Sequence, residues 1–140
     1  MALLGIAIRT RDPKVDMPVD IAIDPGTVSG PSAGLAFTLT IVDFLTPGDI
    51  TGGRRVAVTG TIEPDGHVGE IGGVEQKAIA ARRAGAELMI VPEAEAALAR
   101  KHAPSIKVVG VETLEDALRA LDRNGGVTVP PQDELRRELP

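Results

Sequence analysis

Five small residues, Gly-Pro-Ser-Ala-Gly at residues 30–34, constrain this chain more than any other stretch. An alternating apolar and polar run at residues 19–24 precedes them and predicts a strand, and an apolar run that reaches residue 45 follows and predicts a helix. Pro31 favours a helix that begins there, because proline has no amide hydrogen for the first turn to leave unpaired. Ser32 then lies in the first turn, where unpaired N–H groups and the positive end of the helix dipole are found.

The small neighbours Gly30, Ala33 and Gly34 leave space around the Ser32 hydroxyl, so that a backbone or a substrate can approach it closely. This is a suitable position for a nucleophile. Serine and proline also occur at helix starts for capping alone, so the motif by itself leaves both interpretations open.

Composition narrows the classes of function. A chain of 140 residues predicts one domain that can bury a sizeable core, and with 1% aromatic residues that core must be aliphatic. The net charge of -5 and the lack of aromatic stacking platforms argue against a nucleic-acid partner. The absence of cysteine excludes disulfides, thiol catalysis and thiolate metal sites, and the histidine spacing predicts no metal or other cofactor.

The order of elements predicts a mixed α/β domain with a mixed sheet and about four helices. We expect strands at residues 3–8, 19–24, 55–62, 67–71, 87–91 and 106–111, and helices at residues 31–45, 74–84, 92–101 and from a capping box at residues 113–116. Because it is apolar nearly all round, helix 31–45 is expected to be buried. We assign residues 1–123 to the domain and residues 124–140, rich in glycine, proline and charge, to a poorly ordered tail.

A lysine lies on the apolar face of the second predicted helix. That face carries Val74, Lys77, Ala78, Ala81 and Ala84, whereas Arg82 and Arg83 point the opposite way. A lysine amine that loses hydration among apolar groups is more easily neutral and can act as a general base. The alternative is that Lys77 lies at the edge of the face and extends its amine to water.

Four motifs in one order resemble the proteolytic domain of Lon proteases. They are Gly-Pro-Ser-Ala-Gly at residues 30–34, Val-Thr-Gly at 58–60, Ile-Gly-Gly-Val-Glu-Gln-Lys at 71–77 and Arg-Ala-Gly-Ala at 83–86. The similarity runs in one register from about residue 4 to residue 92 and continues more weakly to about residue 121. The 45-residue spacing between Ser32 and Lys77 is also close to that of the family.

The resemblance implies a Ser–Lys dyad, with Ser32 as nucleophile and Lys77 as general base. It implies that Thr59 helps to hold the lysine amine, and that the Ser32 N–H helps to form an oxyanion hole. Gly30, Pro31 and Ala33 support the nucleophile. The implied reaction is hydrolysis of peptide bonds in unfolded proteins or peptides, and the family commonly assembles into rings, usually of six.

Two positions depart from the family pattern, since Ser29 and Thr61 stand where many ATP-dependent members have acidic residues. No G-x-x-x-x-G-K-[ST] motif occurs, so this chain carries no ATPase of its own. The stretch at residues 41–53 looks most like bacterial proteins that join a Lon-like domain to a PDZ domain behind a membrane anchor. We therefore expect a soluble domain from a parent that works outside the cytoplasm without ATP.

Three alternatives stay open. His67 or His102 would serve as the base of a Ser–His–Asp site, although both are expected to face solvent. A glycine-rich turn at a helix start is also how backbone N–H groups bind phosphate, which would indicate a nucleotide-binding domain of related fold. The third alternative is a catalytically silent module that keeps the fold for assembly.

Overall fold

The computed structural model describes residues 22, 24, 26, 27 and 30–127. Its helices are α1 (Gly34–Leu45), α2 (Val74–Arg83), α3 (Ala96–His102) and α4 (Leu114–Arg123), and 3₁₀ turns at Pro31–Ala33 and Glu93–Glu95 precede α1 and α3. Its strands are β1 (Val56–Val58), β2 (Thr61–Ile62), β3 (Val68–Gly69), β4 (Leu88–Pro92) and β5 (Lys107–Val111). The predicted mixed α/β fold with four helices is confirmed. The predicted strands at residues 3–8 and 19–24 lie outside the described residues, apart from Ala22 and Asp24.

Strand β4 is the centre of a three-stranded parallel sheet with the order β1-β4-β5. All five of its residues are buried, as expected for a parallel strand covered on both faces. Met89 and Val91 join one core with α2 and α3, whereas Leu88 and Ile90 join a second core with α1 and α4. The alternation of side chains along β4 therefore places α1 and α2 on opposite faces of the sheet.

The prediction of a single strand at residues 55–62 is wrong, because this stretch forms two strands, β1 and β2, which belong to two different sheets. Thr59 still pairs with β4 through its N–H, which donates to the Ile90 carbonyl over 3.0 Å. The Gly60 N–H instead donates to the Ser32 carbonyl over 2.9 Å, so the chain leaves the sheet at this residue. Strand β2 then pairs with β3 as an antiparallel hairpin.

Helix α1 begins as predicted, but the expectation that it is buried all round is wrong. Its fully buried residues are Leu35 and Leu39, while the Phe44 side chain near its end is 83% exposed. An apolar composition without a polar face removes the sequence signal for which side meets the core. The sheet contacts of Leu35 and Leu39 decide that orientation instead.

The remaining helices follow the sequence closely. Gly85, in the left-handed region with φ of 75°, follows the end of α2 as a C-terminal cap. The predicted capping box at the start of α4 is formed by Thr113 and Asp116. In the predicted tail, the Val127 N–H donates to the Asp49 carbonyl over 2.9 Å. Residues 128–140 lie outside the described part of the chain.

The α4 capping box generates a prediction about pH. The backbone N–H of Glu112, then the Thr113 side chain and N–H, hold the pKa of Asp116 below its ordinary value of 3.8. A carboxylate with a lowered folded-state pKa stabilises the fold above that ordinary value, and this stabilisation disappears as pH falls through the lowered pKa. Asp116→Asn should therefore reduce the free energy of unfolding at about pH 7, and by less at about pH 2.

Urea unfolding at both pH values measures the effect, with Glu115→Gln as the control for loss of one exposed charge on the same helix. A deficit in Asp116→Asn that stays the same at both pH values would contradict this account of the cap.

Candidate active site at the end of the first strand

Ser32 lies in the 3₁₀ turn that leads into α1. Gly30 occupies the N-cap position with φ of 92°, a conformation that favours glycine, so the serine is not the capping residue. The Ser32 carbonyl accepts the Gly60 N–H over 2.9 Å and the Thr59 hydroxyl over 3.3 Å. Two donors from the end of β1 therefore fix the backbone of Ser32, and its side chain remains partly exposed.

Lys77 lies one turn inside α2, at the edge of the helix face that packs on the sheet. Val74, Ala78 and Ala81 on that face are buried, Lys77 is partly buried, and Arg82 and Arg83 are exposed. The predicted orientation of the helix is thus confirmed, except that Ala84 at its end is exposed. The Lys77 amine turns inward and donates to the Thr59 hydroxyl over 3.3 Å.

Thr59 connects the two predicted catalytic residues. Its side chain is one of the buried polar groups of the protein, with 5% exposure. A hydroxyl has one proton to donate and two lone pairs to accept with. Because the Thr59 proton goes to the Ser32 carbonyl, the oxygen lone pairs remain to accept from Lys77. One hydroxyl thus ties the nucleophile's backbone to the amine.

This meeting point follows from the fold. Helices α1 and α2 cover opposite faces of the sheet, so Ser32 and Lys77 approach Thr59 from two sides, at the carboxyl end of β1. The carboxyl ends of parallel strands are where α/β domains commonly place their ligands.

Ser32 and Lys77 also line one open cavity of about 440 Å³. Six alanines form most of its wall, at positions 33, 36, 57, 80, 81 and 84. Lys77 is the one charged residue among the lining residues, and neither histidine is among them. A hydroxyl and an amine next to a mostly apolar cavity can perform general-base-assisted nucleophilic attack.

The histidines lie elsewhere. His67 is exposed in the β2–β3 turn and contacts Asp65 over 3.4 Å. His102 at the end of α3 contacts Glu75 over 3.7 Å, and with 29% exposure of its side chain it faces solvent less than expected. The described residues contain no group of three acidic, histidine or cysteine side chains arranged to hold a metal ion. None of the helices within residues 30–127 is long and apolar enough to cross a membrane.

Sequence reasoning missed two contributors to the site. The motif at residues 58–60 contains Gly60 but does not indicate its role. Its N–H donates to the Ser32 carbonyl, and its Cα packs closely between Leu35 and Val68. Glu95 was not singled out, yet it accepts the Ile71 N–H over 3.0 Å just before α2. Neither contact has a local sequence signal, because 28 and 24 residues separate the partners.

The fold and site therefore define a mixed α/β domain with a serine and a lysine joined through a threonine at one strand end. Comparison with known proteins agrees. Residues 10–121 match the family described as Lon protease (S16) C-terminal proteolytic domain. The chain belongs to this family.

Individual relatives are similar over most of this chain. It is 34% identical to Lon protease of Rickettsia felis over 74% of the chain, and 33% identical to Lon protease of Roseiflexus castenholzii over 79%. It is 34% identical to "Lon protease homolog 2, peroxisomal" of Caenorhabditis elegans over 76%. These matches cover 14%, 15% and 14% of the three relatives, so the chain corresponds to a small part of each.

Gly60 gives a structural prediction for the site. A Cβ at this residue would lie 2.9 Å from Val68 Cγ1 and 3.3 Å from Leu35 Cδ2, so Gly60→Ala must displace β3 or the start of α1. We expect it to lower the free energy of unfolding by about 1–3 kcal/mol. Gly72→Ala is the matched control, because a Cβ there meets no atom within 4 Å. Equal stability of both variants in urea would show that Gly60 is not tightly packed.

Proposed function

We propose that this domain is a serine endopeptidase of the Lon type, with Ser32 as nucleophile and Lys77 as general base. The observation that carries the proposal is the Thr59 hydroxyl, which is bonded both to the backbone of Ser32 and to the Lys77 amine beside one cavity. Membership of the Lon proteolytic-domain family supports the same reaction class.

In the proposed mechanism, neutral Lys77 accepts the Ser32 hydroxyl proton as Oγ attacks the peptide carbonyl carbon. The resulting oxyanion accepts the Ser32 N–H at the helix start. Lys77 then donates the proton to the leaving amine, and the C–N bond breaks to leave an ester on Ser32. A water molecule, deprotonated by Lys77, then attacks the ester carbon. The C–O bond to Ser32 breaks as Lys77 returns the proton to Oγ, which releases the carboxylic acid product and restores both residues.

The surroundings of the pair suit this chemistry. The alanine-lined wall places no carboxylate beside the Lys77 amine, so no lining residue forms an ion pair with it. Thr61, which replaces an acidic residue of the family pattern, lies in β2 opposite Gly69 rather than in the cavity wall. Ser29 lies outside the described residues. Both departures bear on the resting arrangement of the dyad and on its regulation, and not on the identity of its two residues.

The direct test is hydrolysis of denatured casein by this protein and by its variants Ser32→Ala and Lys77→Met. Each variant removes a group that the mechanism uses in both half-reactions, so each should lose activity by at least about 1,000-fold. Lys101→Met, on the exposed side of α3, is the control for loss of a lysine charge. Circular dichroism checks that the variants are folded.

Activity that survives Lys77→Met would disprove Lys77 as the base. Activity that survives Ser32→Ala would disprove the serine mechanism as a whole.

Thr59 gives a second functional prediction. Thr59→Val keeps the shape of the side chain but removes both bonds of the hydroxyl, so the Lys77 amine loses its partner. Lys77 becomes charged as it takes the Ser32 proton, and a hydrogen bond to a charged group contributes about 1.5–3 kcal/mol, so we expect kcat to fall by about 10- to 100-fold. Thr59→Ser keeps the hydroxyl and should retain most activity. If both variants show the same kcat, the hydroxyl does not hold Lys77.

The two other candidate functions give different outcomes. A phosphate-binding loop would bind nucleotide without peptidase activity, but Lys77 is the one cationic residue in the cavity lining. A silent assembly module would tolerate Ser32→Ala and Lys77→Met without any change in function. Calorimetric titration with ATP separates them, because a phosphate-binding loop would give a binding signal and an assembly module would not.

We also infer that the parent is an ATP-independent protein of the PDZ-linked, membrane-anchored bacterial type, which assembles as a ring. The stretch at residues 41–53 supports the first inference. Exposure of Phe44 and Leu45 at the end of α1, 83% and 53%, supports self-association. Sedimentation velocity and casein hydrolysis with and without ATP, on the full-length parent, test both.

A further inference from the structure

The segment that leads into α2 is weakly fixed by its own sequence. Residues 70–73 connect β3 to this helix and end in two glycines. Gly73 occupies the N-cap position in the left-handed region, with φ of 71°, and no side chain caps the helix there. A Cβ on Gly72 would meet no neighbour within 4 Å. Within this segment only the Ile71 side chain packs on the core, and no side chain caps the start of α2.

A carboxylate from another helix holds this segment. Glu95 Oε2 accepts the Ile71 N–H over 3.0 Å, in a partly buried setting. Glu95 occupies the N-cap position of α3, but its side chain makes no capping bond to that helix. Among the side-chain hydrogen bonds of residues 30–127, this is the one that reaches residues 70–73.

The segment that Glu95 binds at Ile71 is connected to Lys77 through the first turn of α2. The Ile71 side chain packs against the core that α2 shares with the sheet. Two residues later, the Gly73 carbonyl accepts the Lys77 N–H over 3.1 Å in the first turn of α2. A shift of residues 71–73 therefore moves the turn that carries Lys77, while Thr59 is held separately by the bond from its N–H to the Ile90 carbonyl of β4.

We propose that Glu95 is a positioning residue for Lys77, acting through the Ile71 N–H and the first turn of α2. It sets the separation between the Lys77 amine and the Thr59 hydroxyl, and thereby the alignment of the amine with Ser32. The inference rests on the proposed function for its catalytic consequence, but the positioning itself concerns only contacts within the chain.

The test compares Glu95→Ala with Glu95→Gln. Alanine removes the acceptor, whereas the glutamine amide oxygen can still accept the Ile71 N–H. Since a displacement of about 1 Å can cost about 100-fold in rate, we expect Glu95→Ala to lower kcat on casein peptides by about 10- to 100-fold with little change in KM. Glu95→Gln should restore kcat. Glu93→Ala, which removes an exposed carboxylate from the same 3₁₀ turn, is the matched control and should match wild type.

A readout that does not need activity separates this inference from the dyad proposal. NMR follows amide exchange at Ile71 and the ¹³Cε resonance of Lys77 in each variant. In Glu95→Ala, amide exchange at Ile71 should accelerate at least tenfold and the Lys77 resonance should shift. In Glu95→Gln, the exchange rate and the resonance should both match those of the wild type.

An unchanged Lys77 resonance in Glu95→Ala overturns the inference, even if Ile71 exchanges faster, because Glu95 would then be structural only. A shifted resonance in a protein whose casein hydrolysis does not depend on Ser32 keeps the positioning and rejects the dyad. Unchanged kcat in Glu95→Ala, in a protein that does depend on Ser32 and Lys77, overturns the inference and leaves the dyad standing.

Discussion

Burial of strand β4 on both faces determines where chemistry can occur in this domain. Its alternating side chains enter two separate cores, one with α1 and α4 and one with α2 and α3. A hydroxyl carried before α1 and an amine carried by α2 are consequently on opposite sides of a sheet. They can meet only beyond an edge or an end of the sheet, and here they meet at the carboxyl end of β1.

The two residues after β1 make that meeting possible because they serve the sheet and the site together. Thr59 continues the pairing with β4 through its N–H while its side chain bonds Ser32 and Lys77. Gly60 then turns its N–H to the Ser32 carbonyl and lets Leu35 and Val68 pack closely against it. An N–H or hydroxyl buried here without these partners would cost free energy, so the native positions of both helices are favoured by the same bonds that form the site.

Features of the fold that depend on residues close together in the sequence could be predicted. Period-two and period-3.6 patterns located the helices and most strands, and the capping box located α4. The wheel of α2 placed Lys77 on the face that carries the buried Val74, Ala78 and Ala81. Motif order identified the family. The roles of Ser32 and Lys77 in catalysis remain predictions until the variants are measured.

Contacts between distant residues could not be predicted. The break between β1 and β2 arises because the Ser32 carbonyl, 28 residues earlier, competes for the Gly60 N–H. The orientation of α1 could not be predicted because most of its side chains are apolar, so no polar face marks the side that meets solvent. The Glu95–Ile71 bond could not be predicted because it joins two segments that share no motif. Each of these depends on tertiary packing that local propensity does not encode.

The small side chains of α2 explain how one helix can both pack and catalyse. The buried residues of α2 are Val74, Ala78 and Ala81, and they share one core with α3 and with Met89 and Val91 of β4. The same small size leaves open space on the Lys77 side, where Ala80, Ala81 and Ala84 line the cavity. Ala81 belongs to both surfaces, so a larger residue there would strain the core and reduce the cavity together. Packing and access to the amine are therefore set by the same side chain.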